Sequence, residues 1–377
     1  VSDLRPDDPE KNSHPVIFMD FKELSSDGYD STVRKARIVV AEVCKRFPEL
    51  AEGEGLDPDD VRMFLDLKSQ SANDEVLASS LALLSRMLEA RFGRKAVILI
   101  DEYDNPLNRS YGEPDHRRIT DFVRDMLSSG LKGNGSLAFG VVTGVMQIAK
   151  ESIFSGLNNL RVNNILSTDM DEMFGFTQEE VERMCRDFGH PEKFAEAREW
   201  YDGYRFGNAE IYNPWSVLNY IDSGFVPAPY WAGTSDNGII DDLLSVPDRE
   251  TYDNLMRLGS GESIVSDLDP RITFADMTGR PGGVYSVMAL SGYLTARQEG
   301  GRCMLSLPNR EMYAVFADAV LSKLNVDGMG GSMRALSRSV LSGDVETVER
   351  SLGDLLRYAV SGRVLDSEHA YQAFVTG

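Results

Sequence analysis

Residues 95–107 read KAVILIDEYDNPL. Positions 96–100 are an unbroken apolar run containing Val and Ile, short and closed at once by charge, the composition of a strand buried on both faces of a parallel sheet. Two carboxylates, Asp101 and Glu102, stand at its carboxyl end. In open α/β sheets ligands bind outside that end, and an acidic pair there suits a Mg²⁺-nucleotide site, where one carboxylate holds the metal or its water shell and the other orients an attacking water. The same pair equally fits a solvated turn that caps the next helix.

The flanking sequence repeats the strand pattern on both sides. Residues 15–20 (PVIFMD) form a second buried-type strand, again ending in a carboxylate. Over 29–47, Val33, Ala36, Val40, Val43, Cys44 and Phe47 recur at helical spacing. Asp57-Pro58-Asp59-Asp60 is a helix start, with proline in the first turn and acid at the positive end of the dipole; it is not an EF-hand loop, because Lys68 stands where the bidentate glutamate belongs. Leu77, Leu81, Leu84 and Leu88 then mark a helical face leading into the strand at 96. Beyond it, residues 115–131 place Ile119, Phe122, Val123, Met126 and Leu127 on one face of a surface helix. Gly133-Asn134-Gly135 is a turn, and 137–142 (LAFGVV) is a third buried strand ending in Thr143-Gly144. A small hydroxyl there can reach a phosphate or the attacking water, or simply cap the next helix. Residues 164–167 are a candidate fourth strand. The resulting β, α, α, β, α, β order predicts a parallel sheet with flanking helices.

The 377 residues imply two or three domains. Lys plus Arg number 39 against 60 Asp plus Glu, a formal charge of −21 with a pI near 4.6. That balance argues against general binding to a phosphate backbone. Cys44, Cys185 and Cys303 lie far apart with no CxxC pair, so neither a disulfide framework nor a zinc knuckle is encoded, and a reducing cytoplasm is the expected home. No apolar run reaches membrane-spanning length and no signal peptide opens the chain. The four histidines, His14, His116, His190 and His369, show no metal spacing, and there is no GxSxG elbow. The chain opens on Val1 and stops inside an amphipathic pattern at 371–375, as a piece of a longer protein would.

From Asp169 the texture becomes helical. Thr177 with Glu180 three residues on is a capping box. Val181, Met184, Cys185 and Phe188 give one apolar face, and Phe194, Ala197 and Tyr201 the next. The aromatic stretches 200–207 (WYDGYRFG) and 212–216 (YNPWS) suit the core of a small helical domain, or a platform that stacks bases. Residues 284–290 read as a helix, 292–298 and 302–307 as two strands around Glu299-Gly300-Gly301, and 310–324 as a helix. That order suggests a winged-helix module, a class that binds DNA or protein; Arg271, Arg280, Arg297, Arg302 and Arg310 are too spread to choose between them. A glycine joint at 328–331 and two helices, 332–342 and 345–360, follow.

Taken together, ILIDEYDNPL, VVTGVMQIAKESIFSGLNNL, MFGFTQEEV, EWYDGYRFG, IYNPWSVLNYI and SGYLTA resemble the bacterial and archaeal AAA-ATPase-like proteins that carry a PD-(D/E)XK nuclease-superfamily domain at the carboxyl end. The resemblance runs from Pro15 to about Leu307. It implies a P-loop NTPase-like core over 1–168, a helical lid over 169–262, a winged-helix-like α+β region over 263–327, and helices over 328–377 leading into a nuclease domain that this sequence lacks. By position, Asp101 of this Walker B segment would bind Mg²⁺, Glu102 would orient the water, Thr143 would be the sensor, and Arg161 is a candidate phosphate contact. ATP and Mg²⁺ are the implied cofactors, nucleic acid an implied partner, and a homo-oligomer is expected.

Two departures qualify this. No GxxxxGK(S/T) loop occurs in the 377 residues, so the cradle and lysine for the β- and γ-phosphates are missing and ATP binding by this chain alone should be poor. Beyond Tyr371 there is no Asp-bearing strand and no Glu-x-Lys. Truncation or disorder at both ends is the expected explanation. Asp20-Phe21-Lys22 offers half of a nuclease D-x-K site, although its position suits the second strand of an ATPase sheet better. The function expected is an ATP-dependent switch coupled to a nuclease. The alternative is a nucleotide-independent scaffold that holds DNA or a protein through the winged region.

Overall fold

The computed structural model describes residues 10–24, 28–145, 160–233, 249–272, 282–299, 302–317, 339, 344, 345 and 347–350. Two compact units result: Val1–Val162 with Arg271–Asp276, and Asn163–Pro270 with Met277–Gly377. The segment 146–159, the expected end of the helix at 318–324, the joint at 328–331 and most of the last two helices lie outside the described residues.

The first unit is a three-stranded parallel sheet, β1 (Val16–Asp20), β2 (Ala96–Asp101) and β3 (Leu137–Val142), in the order β1-β2-β3. This is the α/β arrangement of an NTPase-like core, with helices α1 (Tyr29–Lys45), α2 (Pro58–Lys68), α3 (Asp74–Ala78), α4 (Ser80–Phe92), α5 (Asn105–Ser110) and α6 (His116–Leu131) around it. Asp57 caps α2 by accepting from the Asp59 and Asp60 amides, and Asp60 returns a two-pronged ion pair to Arg86 on α4 at 2.8 and 2.7 Å. On α6 the apolar stripe is buried while Asp121 and Arg124 pair at 2.7 Å. Gly130 lets α6 approach α4 closely, because a Cβ there would lie 2.7 Å from the Cβ of Leu81. Burying leucines such as Leu81, Leu84 and Leu88 contributes about 1.5–3 kcal/mol apiece.

The strands are buried on one face only, which corrects the two-face expectation. Ile17, Met19, Ile98 and Ile100 are at most 2% exposed, whereas Val16, Phe18, Phe139 and Val141 on the opposite face remain open. Alternation with the register Phe18↔Leu99↔Val141 explains the split.

The second unit contains α7 (Gln178–Asp187), α8 (Phe194–Tyr201), a hairpin of β4 (Tyr204–Phe206) and β5 (Ala209–Ile211), α9 (Pro214–Asp222), α10 (Arg249–Gly259), α11 (Gly283–Leu290) and α12 (Arg310–Phe316). An antiparallel sheet joins β6 (Ile264–Val265), β8 (Arg302–Ser306) and β7 (Thr295–Glu299) in the order β6-β8-β7. The capping box at Thr177 and Glu180 is complete. The tyrosines of the aromatic stretches are core, Tyr201, Tyr204 and Tyr212 being buried, whereas Trp200 and Phe206 are half-buried and Trp215 is exposed. Residues 164–167 are a turn and not a strand, closed by the Ser167 amide donating to the Asn164 carbonyl at 2.8 Å. The Asn164 side chain accepts from the Leu166 amide and the Ser167 hydroxyl accepts from the Asn164 amide, local bonds that compete with a ladder.

Candidate functional site

The carboxyl ends of the three parallel strands bring together Asp20, Asp101, Glu102 and Thr143. Thr143 follows β3 directly, and its amide continues the ladder to the Ile100 carbonyl at 2.9 Å, while its own carbonyl accepts from the Tyr103 amide at 3.1 Å. Those two bonds hold the Thr143 hydroxyl where it donates to Oδ1 of Asp101. The same oxygen accepts from the Glu102 amide at 3.1 Å. Asp101 is exposed, and its second oxygen has no hydrogen bond to a described residue.

Glu102 is held in a left-handed backbone conformation, φ 55°, which costs a non-glycine residue of order 1 kcal/mol and recurs at functional sites. The turn sets it apart from the alternation of β2. Burial is the main influence raising its carboxyl above the ordinary range, reinforced by Asp104, Asp101 and Asp20 and opposed by Lys22. The following residues anchor the bend. Asp104 is fully buried and accepts from the Asn108 side-chain amide at 3.0 Å. Asn105 donates to the Lys22 carbonyl at 2.8 Å, and the Phe21 amide donates to the Asp101 carbonyl at 2.9 Å, tying the ends of β1 and β2.

Asp20 is the register partner of Asp101, which puts the two acids on adjacent strands about 4.8 Å apart. Its Oδ1 accepts from the Lys22 amide at 2.8 Å. The sequence places Asp20 at a strand end, but only the pairing shows that it flanks Asp101. Tyr103, Asp104 and Gly144 are further residues of the site that sequence reasoning passes over; their signal is the DEYD run itself. Arg161 is exposed, and the described contacts of Asp101, Glu102 and Thr143 do not include it.

The donors are hard oxygens, the class that holds Mg²⁺. Among the described residues no group of three or more His, Cys, Asp and Glu side chains is placed to hold a metal; a Mg²⁺ shared between one or two carboxylates and the phosphates of its substrate does not require one. Among the same residues no helix is long and apolar enough to cross a membrane.

Residues 3–154 match the family model AAA-ATPase_like, described as "Predicted AAA-ATPase". Over 247 residues the chain is 28% identical to an "Uncharacterized protein in vnfD 5'region" of Azotobacter chroococcum mcd 1, covering 63% of this chain and 45% of that protein. The chain therefore spans less than half the length of that curated relative. No solved structure matches.

Proposed function

We propose that Asp101, Glu102 and Thr143 are the hydrolytic half of a Mg²⁺-ATP site, and that the whole gene product is an ATP-dependent switch or motor. The observation that carries this reading is the Thr143 hydroxyl donating to Asp101, with Glu102 turned out beside it, at the carboxyl edge of a parallel sheet. The family match over residues 3–154 supports it.

A bound Mg²⁺ would neutralise charge that develops on the transferring phosphoryl group. Asp101 would hold the metal or its water shell, its second oxygen having no hydrogen bond to a described residue. Glu102, held above the ordinary carboxylate range by burial and neighbouring acids, accepts the hydrogen bond or proton of the attacking water. Thr143 fixes the rotamer of Asp101 and reads the state of the phosphate. Arg161 is the candidate phosphate contact.

Under this proposal the phosphate cradle comes from outside residues 16–142. β1, β2 and β3 step across the sheet in one direction, and right-handed crossovers then place every intervening helix on the same face. A phosphate-binding strand and helix beside β3 would cover the open face at Val16, Phe18, Phe139 and Val141 and bring backbone amides and a lysine to the carboxyl edge. Coupling to a nuclease-type domain acting on nucleic acid, and assembly that lends an arginine from a neighbouring protomer, are parts of the proposal supported by the motif resemblance.

Glu102→Gln in the whole gene product should leave Mg²⁺-ATP binding intact by calorimetry and stop hydrolysis. Unchanged turnover in that variant refutes the role given to Glu102. ATP-dependent DNA cleavage by the same protein, lost with Glu102→Gln, tests the coupling.

A further inference from the structure

The helix that follows the DEYD run opens on Asn105-Pro106. Proline suits that first turn, and an asparagine beside it ordinarily bonds to backbone close by in sequence. The Asn105 side chain reaches much further. Its Nδ2 donates to the Lys22 carbonyl at 2.8 Å, 83 positions earlier in the chain, while its backbone amide donates to the Glu102 carbonyl at 3.0 Å. One half-buried residue is thus bonded to both turns that leave the carboxyl edge, the one after β1 and the one after β2.

Both ends of this clamp are themselves fixed. The Lys22 amide donates to Oδ1 of Asp20 at 2.8 Å, and Phe21 and Leu24 on either side are at most 1% exposed. Pro106 and Leu107 are buried at the start of α5. Between these anchors Glu102 sits at φ 55°, a conformation that persists only where the surroundings hold it. The Glu102 amide bonds to Asp101 at 3.1 Å and the Tyr103 amide to the Thr143 carbonyl at 3.1 Å, which fix the turn to β2 and β3. Asn105 fixes it on the β1 side. The sheet has no need of that bond, because β1 already pairs with β2 from Val16↔Val97 to Asp20↔Asp101 and the Phe21 amide continues the ladder to the Asp101 carbonyl.

We propose that Asn105 is a positioning residue of the hydrolytic site: it clamps the turn of Glu102 against the turn after β1 and so fixes where the Glu102 carboxylate stands beside Asp101. Misplacing a reacting group by about 1 Å can cost about 100-fold in rate, so a side chain that does not itself touch the nucleotide governs turnover. The inference rests on the nucleotide role given to Glu102 and adds the residue that holds it in place.

One readout needs no nucleotide. In the chain alone, Asn105→Ala, and Asn105→Asp, which keeps the shape and loses the donor when ionised, should speed amide exchange at Tyr103 about fivefold. Ile98 and Ile100 within β2 should exchange at wild-type rates. In the whole gene product both variants should lower kcat for Mg²⁺-ATP about 10- to 100-fold, with the calorimetric Kd within about twofold of wild type. Asn105→Gln, which keeps the carboxamide, should stay within about threefold of the wild-type kcat. Unchanged exchange at Tyr103 overturns the clamp, whatever the turnover. Faster exchange with a wild-type kcat, where Glu102→Gln is inactive, overturns the positioning role and leaves the nucleotide reading standing. A weaker Kd at unchanged kcat would make Asn105 a nucleotide contact, and faster exchange throughout β2 would make it a stitch of the sheet; either also overturns the proposal. No turnover by the wild type, or full turnover by Glu102→Gln, removes the nucleotide reading and this inference with it.

Discussion

Gly144→Ala should damage the site while leaving Asp101, Glu102 and Thr143 themselves unchanged. A Cβ at 144 would lie 2.5 Å from Asp104 Oδ1 and 2.7 and 2.8 Å from two carbons of the Tyr103 ring. Tyr103 is 5% exposed and Asp104 is fully buried, so neither side chain can swing into solvent and the turn after β3 must move. Overpacking of this kind costs about 1–3 kcal/mol, and in a unit of this size each kcal/mol lowers the melting temperature by about 2–4 °C. The expected fall is therefore about 2–12 °C for the first unit. Gly135 is the control at the other end of β3: nothing lies within 4 Å of its Cβ position and its φ is not positive, so Gly135→Ala should stay within about 0.5 kcal/mol of wild type. Trp200, Trp215 and Trp231 all belong to the second unit. Tryptophan fluorescence is thus blind to this change, and amide exchange in β2 and β3 is the assay. Moving the turn also pulls Thr143 from Asp101. Loss of a hydrogen bond to a charged acceptor, worth about 1.5–3 kcal/mol, would lower turnover by the whole gene product about 10- to 150-fold. If Gly144→Ala exchanges and turns over like Gly135→Ala, the close approach of the two turns has no energetic weight and the positioning argument fails.

Gly203→Ala should be more disruptive still: φ is 95° and the new Cβ would overlap the Pro308 carbonyl oxygen. Tryptophan fluorescence melts should show the second unit losing about 3 kcal/mol or more, against about 1 kcal/mol for Gly224→Ala, where φ is 77° and the space is open. Glu311 is fully buried on α12, accepting from the Ser216 hydroxyl and the Trp231 amide. Burial holds its carboxyl above the ordinary range, with those bonds opposing. A raised folded value means that its stabilisation is complete below the ordinary glutamate range and is lost as pH rises through the folded value. Urea titrations should therefore show the deficit of Glu311→Gln relative to wild type shrinking from pH 4 toward pH 7, and a deficit that grows with pH contradicts the assignment.

Much of the first unit is written in its local pattern. The apolar run at 96–100 closed by two acids, and the stripe from Ile119 to Leu127, each specify an element without help from the rest of the chain. The same holds for the Thr177–Glu180 box. What fails is where side-chain chemistry overrides apolarity. Residues 164–167 read as strand by composition, yet Asn164 and Ser167 satisfy the local backbone themselves. The β4–β5 hairpin hid inside an aromatic run, although its alternation about Gly207-Asn208 is a hairpin signal. Within the site, Asp101 and Thr143 are legible because strand ends are. The proximity of Asp20 and the left-handed turn at Glu102 come from register and tertiary packing, which a single sequence does not carry.

Pairing of β1 with β2 has a consequence for how the protein is made. Val16 pairs with Val97, and nothing nearer in sequence completes that edge of the sheet among the described residues. At about 5–20 residues per second, β1 emerges from the ribosome roughly 4–16 s before its partner. For that interval VIFM is an unpaired strand on a nascent chain, and closing so long a loop is intrinsically slow. Synthesis of the first unit should accordingly depend on a holding chaperone, and most acutely before residue 101 has cleared the exit tunnel.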